Sequence, residues 1–125
     1  MAQILVVDDN ETVREFILNM FLRSDPEKRH TIISAVNGRD AQEKISESAL
    51  PIDLVITDFD MPIMNGVELI RWIRAKHPEI KTILMSSNDL SYFSLADAFV
   101  LKPEGFDNFL DTCSRVLAQK EKDNE

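Results

Sequence analysis

The chain has 125 residues, 44% of them hydrophobic, which suits one compact domain around a single core. A formal net charge of -8 and a pI near 4.7 argue against a nucleic-acid surface of its own. The one cysteine, Cys113, excludes an internal disulfide, and no apolar run approaches the ~18 residues of a membrane span or follows the pattern of a signal peptide. The expectation is a soluble, cytoplasmic, monomeric protein that binds neither nucleic acid by itself nor a membrane.

Ile4-Leu5-Val6-Val7 is a continuous apolar run of the kind buried on both faces in a parallel sheet, and it stops at Asp8-Asp9-Asn10. Val13, Phe16, Ile17, Met20 and Phe21 then recur at helical spacing. Asp25-Pro26-Glu27 reads as a turn, Thr31 to Val36 as a second strand, and Asn37-Gly38 as a turn before a helix with Ala41 and Ile45 inward. Pro51 resets the chain, and a third strand, from Ile52, ends at Asp58. Gly66 opens a helix with Val67, Ile70, Ile73 and also Leu69 facing the sheet, and His77-Pro78 ends it.

Lys81 to Met85 reads as strand four, running into Ser86, and Phe99 to Leu101 as strand five, running into Lys102-Pro103. A last helix carries Phe106, Phe109, Leu110, Cys113, Val116 and Leu117 on one stripe, followed by a polar tail over 119–125. Strands alternating with helices imply an α/β fold: a doubly wound, flavodoxin-like (βα)5 arrangement of three layers, with five parallel strands and right-handed crossovers.

In such a sheet all strand C-termini lie at one edge, where ligands bind. That edge receives Asp8 and Asp9, then Asp58 and Asp60, Ser86, and Lys102. Converging carboxylates repel one another unless a cation joins them. An oxygen-only donor set without His or Cys favours a hard ion, and Mg²⁺ is satisfied by one or two carboxylates with waters and phosphate. Asp9 and Asp58 read as direct ligands, with Asp8 nearby or acting through water. Lys102 and Ser86 supply a mobile cation and a hydroxyl, which a phosphoryl group on Asp58 would require. Any one of these acids alone is most simply a strand-end or cap residue; the set, in phase after four strands, is not.

Asp8-Asp9 after the first strand, Asp58 before Met61-Pro62 and Gly66, Ser86, and Lys102-Pro103 together resemble the receiver domain of bacterial two-component response regulators. The resemblance spans essentially the whole chain, as a single receiver domain over 1–125 with no output domain after it. It implies a phospho-acceptor switch that takes a phosphoryl group from a histidine kinase or phosphotransfer protein onto Asp58, requires Mg²⁺ (Mn²⁺ as a substitute), and signals to an unidentified downstream protein. It implies further that Asp9 and the Asp60 backbone carbonyl hold the ion, and that Ser86 and Lys102 contact the phosphoryl oxygens. Phe99 matches the switch aromatic paired with Ser86, Asp60 borders the water path that sets the phosphoryl lifetime, and Lys102-Pro103 matches a cis peptide. Such a protein catalyses its own phosphorylation and dephosphorylation without being an ordinary enzyme.

The main departure lies between Ser86 and Lys102, where too few residues remain for a full fourth helix. Leu90 to Ala96 allows two turns at most, and Tyr92 and Phe93 either plug the gap or form an exposed patch. Two other readings follow: an interaction module that keeps the fold without switching, and more remotely a haloacid-dehalogenase-like phosphatase built on Asp58-Phe59-Asp60. Pro62 stands where that phosphatase motif wants Thr or Val. Cys113 reads as a core residue, Trp72 as edge packing, and His30 and His77 as solvent-facing or turn residues.

Overall fold

The computed structural model describes residues 2–25, 29–90, 93–102 and 104–123. Five strands, β1 (Ala2–Val7), β2 (His30–Ala35), β3 (Leu54–Asp58), β4 (Lys81–Ser86) and β5 (Ala98–Leu101), form one sheet in the order β2-β1-β3-β4-β5. Every pairing is parallel, with Ile4 opposite both Ile32 and Leu54. Helices α1 (Glu11–Ser24), α2 (Gly38–Glu47), α3 (Gly66–Lys76) and α4 (Phe109–Asp123) cover it, and Glu104–Asn108 makes a 3-10 turn into α4.

Alternation along the strands divides the core in two. Ile4, Val6, Leu54, Ile56, Ile83 and Met85 meet Ile17 and Phe21 of α1 and Phe109, Cys113 and Val116 of α4. Leu5, Val7 and Val55 face the other way, onto Ala41 and Ile45 of α2 and Leu69 and Ile73 of α3. Three helices start on asparagine: Asn10, Asn37 and Asn65 each accept backbone N–H groups of the first turn, and Asn65 completes a reciprocal cap with Glu68.

Three expectations change. Strand two is one residue earlier than expected, beginning at His30, and Val36 lies outside it, 46% exposed. His30 is therefore a strand residue, pairing with Ala2. The polar stretch from Gln119 is no loose tail, because α4 continues to Asp123. There Lys81 Nζ donates to Asp123 Oδ2 at 2.6 Å and Lys120 Nζ to the Glu79 carbonyl at 2.8 Å.

The largest change is the connection from β4 to β5. Among the described residues it contains no helix, only bends and turns, so the five strands are served by four α-helices. Tyr92 lies outside the described residues, and Phe93 is half-buried with its N–H on the Leu90 carbonyl at 2.9 Å. Leu84 faces α3, and both it and Ile70 are fully buried.

Candidate functional site

The parallel sheet brings four strand ends to one edge. Asp8 and Asp9 follow β1, Asp58 closes β3, Ser86 closes β4 and Lys102 follows β5. They line a cleft of about 350 Å³ together with Asp60 and Asn88. Asp8 and Asp58 are buried and Asp9 is exposed, and one carboxylate oxygen from each lies within 4.8 Å of the others. Lys102 Nζ donates to Asp58 Oδ1 at 2.8 Å and to Asp8 Oδ2 at 3.2 Å.

Charge in this cleft is unevenly shared. Burial pushes the Asp58 carboxyl above its ordinary pKa; the hydrogen bond from Lys102 opposes this, and the neighbouring Asp8 and Asp9 charges reinforce it. For Lys102, burial works against the ammonium, but the hydrogen bond and charge of Asp58, followed by Asp8, outweigh it and raise the pKa. A lone lysine offsets three acids incompletely. The donor set is all oxygen, one member is open to solvent, and the three groups converge, so these residues fit a hard divalent cation.

Backbone geometry holds Asp58 in place. Gly66 N–H donates to the Phe59 carbonyl at 2.9 Å, and Phe59 N–H to the Met85 carbonyl at 2.8 Å. A Cβ on Gly66 would lie 2.2 Å from the Asp58 carbonyl oxygen, so only glycine lets α3 begin this close to the end of β3. Between them the chain turns tightly, with Met64 N–H on the Pro62 carbonyl at 2.8 Å. Ile63, at its centre, is held at φ 73°, an uncommon conformation for a β-branched residue.

Each anticipated residue can now be placed. Asp8, Asp9, Asp58, Asp60, Ser86 and Lys102 share the cleft. Ser86 is buried, and its Oγ accepts the Asn88 N–H at 3.0 Å. Phe99 is half-buried on β5, paired with Leu84, and is not among the cleft residues. The anticipated Lys102-Pro103 cis peptide lies outside the described residues. Cys113 is a core residue, as expected, its thiol pushed up to about 12 by burial. Trp72 packs against His77, ring centroids 5.1 Å apart. Sequence reasoning passed over Arg14, whose Nη1 donates to the Asp8 carbonyl at 2.6 Å. An arginine one turn into the helix after a double aspartate was the available signal.

Comparison with known proteins agrees with this geometry. Residues 4–113 match the family model described as response regulator receiver domain. The chain belongs to that family. Among curated relatives, the receiver is 38% identical over 111 residues to a protein-glutamate methylesterase/protein-glutamine glutaminase of Geobacillus kaustophilus, covering 82% of this chain and 30% of that protein. It is 36% identical over 87 residues to chemotaxis protein CheY1 of Helicobacter pylori, covering 68% and 67% respectively. The chain thus spans under a third of the length of the first of these.

Among solved structures, response regulator TrrA of Thermotoga maritima, in complex with Mg(2+)-BeF, is 33% identical, covers 93% of this chain and 99% of its own, and superposes with a TM-score of 0.75. A receiver domain from Clostridium thermocellum, 24% identical with a TM-score of 0.81 over 97% and 98% of the two chains, supports the fold. The receiver's acid cluster is positioned for phosphorylation. Among the described residues no helix is long and apolar enough to cross a membrane.

Proposed function

We propose that this receiver accepts a phosphoryl group on Asp58 from the phosphohistidine of a histidine kinase or phosphotransfer protein. The observation that carries this reading is the position of Asp58 between the acids of β1 and the lysine of β5, its Oδ1 2.8 Å from Lys102 Nζ. An Asp58 carboxylate oxygen attacks phosphorus, the bond from phosphorus to the imidazole nitrogen breaks, and the imidazole leaves with its electron pair. The product is an acyl phosphate on Asp58.

Asp9 and Asp58, with Asp8 nearby and the Asp60 carbonyl, would hold Mg²⁺. The Mg(2+)-BeF complex of the Thermotoga relative supports that choice of ion. When bound, the ion offsets the charge that gathers on the transferring group. Lys102 keeps a cation within reach of the Asp58 oxygen throughout, and the buried Ser86 hydroxyl, at the end of β4 between the two, is the donor on the same edge. Asp60, exposed at the cleft, sets how readily water reaches the acyl phosphate.

The test is intact mass after incubation with acetyl phosphate and Mg²⁺. Wild type gains about 80 Da, while Asp58→Asn, whose amide cannot form the acyl phosphate, gains nothing. Equal labelling of that mutant would overturn the assignment. A second reading, a module that does not switch, is favoured by one observation, a connection from β4 to β5 in which no helix occurs among the described residues. It predicts full labelling without any spread of structural change.

A further inference from the structure

We propose that Arg14 is a positioning residue for Asp9, the exposed member of the acid cluster. The inference rests on the receiver reading above, in which Asp9 is a ligand of the divalent ion.

Asp8 is held at four points. Its N–H donates to the Ala35 carbonyl at 3.2 Å, its Oδ1 accepts the Asn10 N–H at 2.9 Å, and its Oδ2 faces Lys102. Its carbonyl accepts Arg14 Nη1 at 2.6 Å. Asp9 has none of this. Among the described residues its carboxylate makes no hydrogen bond or ion pair. Its position is therefore set by the peptides on either side of it.

The Asp8 carbonyl and the Asp9 N–H share one peptide plane, so a bond that pins the carbonyl pins the direction in which the Asp9 side chain departs. On the other side, the Asn10 N–H is already pinned to Asp8 Oδ1. Arg14 supplies the missing clamp. It sits half-buried in the second turn of α1 and pairs with no carboxylate among the described residues, although Glu11 and Glu15 line the same groove. In a chain with 22 acidic residues, a guanidinium directed to a backbone carbonyl instead is doing geometric service. Groups that orient metal ligands commonly govern affinity about as strongly as this predicts, by roughly tenfold or more.

Position and charge make opposite predictions. As a cation near the cluster, Arg14 repels Mg²⁺, so removing it on electrostatic grounds alone would tighten binding. As a clamp, its removal weakens binding. The experiment is calorimetric titration of the full chain with MgCl₂ for wild type, Arg14→Met, which keeps the apolar stem without donor or charge, and Arg14→Lys, which keeps the charge and a shorter donor. We expect Arg14→Met to bind Mg²⁺ about tenfold more weakly and Arg14→Lys to fall between it and wild type.

In the metal-free proteins the Asp9 amide ¹⁵N resonance should move in both variants while those of Ile70 and Ile73, on the opposite sheet face, stay in place. Equal or tighter binding by Arg14→Met, or an unmoved Asp9 amide, would overturn the proposal. Should Arg14→Met fail to fold, the Arg14→Lys amide shift and affinity decide it. Wild type that neither binds millimolar Mg²⁺ nor labels with acetyl phosphate would instead bring down the receiver reading, and this inference with it.

Discussion

Asp97 and Thr82 hold each other in both directions. The Thr82 N–H donates to Asp97 Oδ2 at 2.8 Å, and the Asp97 N–H returns to the Thr82 carbonyl at 2.9 Å. Lys81 Nζ and Arg74 Nη1 approach the other carboxylate oxygen at 3.8 and 4.0 Å. This is the point at which the chain enters β5 with no helix before it among the described residues, and a side chain of the connection anchors it directly to β4. Replacing Asp97 by Ala strands the N–H of fully buried Thr82, which should cost about 1–3 kcal/mol in urea unfolding. Asp97→Asn, which keeps an acceptor, should cost less. A midpoint unchanged in Asp97→Ala would show that water replaces the carboxylate.

Gly66→Ala should be a severe change for a single methyl. Its Cβ would meet the Asp58 carbonyl oxygen at 2.2 Å, backbone against backbone, with no flexible side chain to yield. Overpacking of this kind costs about 1–3 kcal/mol, and here the displacement falls on the end of β3. The variant should both melt earlier and label more slowly with acetyl phosphate at a temperature where it remains folded. Wild-type labelling in a destabilised variant would mean that α3 gives way and Asp58 does not.

Stability should depend on pH through Asp58. Its folded pKa lies above the unfolded value, chiefly through burial. Such a group stabilises most below its unfolded pKa, and that contribution is lost as pH rises through the folded pKa. At pH 7 without Mg²⁺, Asp58→Asn should therefore be more stable than wild type. The advantage should shrink as pH falls toward about 4, where the unfolded carboxyl protonates. The raised pKa of Lys102 leaves its contribution constant over that window, since it is lost only at strongly alkaline pH. Urea melts of both proteins across this range give the comparison, and an advantage that grows on acidification would contradict it.

Mg²⁺ should stabilise the wild type by mass action, about 2.7 kcal/mol at a hundred times its dissociation constant. Asp9→Asn removes a charge from the cluster and should be neutral or stabilising without metal, yet lose most of the Mg²⁺ increment. A full increment in Asp9→Asn would place the ion elsewhere.

Phosphorylation should leave a local signature. Ser86 and Asn88 are joined by a hydrogen bond, and Phe99 lies half-buried on the neighbouring strand. Phe99 has no hydroxyl, so packing alone selects its orientation, and among the described residues no helix flanks it from the β4–β5 side. With beryllofluoride and Mg²⁺, amide shifts should concentrate at Ser86, Asn88 and Phe99 and fade along α4, without dimerisation. Large shifts through residues 107–117 with a new dimer in sedimentation would show that the short connection transmits as a helix does.

The sheet and its edge were legible in the sequence because each strand is an apolar run stopped by a functional residue. The continuous runs Ile4 to Val7 and Leu54 to Ile56 could only be buried strands, and Asp8, Asp58, Ser86 and Lys102 ended them in phase. The β4–β5 connection was less legible. Its shortage of residues was visible, but apolar Leu90, Phe93, Leu95 and Ala96 have near-helical spacing. What holds the segment is the long-range pair of Asp97 with Thr82, which no local period records. The end of α4 hid for a similar reason. Charged residues from Lys120 onward look like solvent-seeking tail until Lys81 and Glu79 are seen to receive them.

That last anchoring fixes the direction in which the molecule can be extended. Asp123 is clamped to Lys81, at the start of β4, while Ser86 at the other end of the same strand borders the cleft. Five steps along the six-residue strand, about 17 Å, separate the two. A dye, tag or further polypeptide joined after α4 would leave from the edge opposite the acids, so it could report on the cleft only through α4 and the core, while a reporter meant to touch the cleft directly belongs on the loops around Asn10 or Asn88.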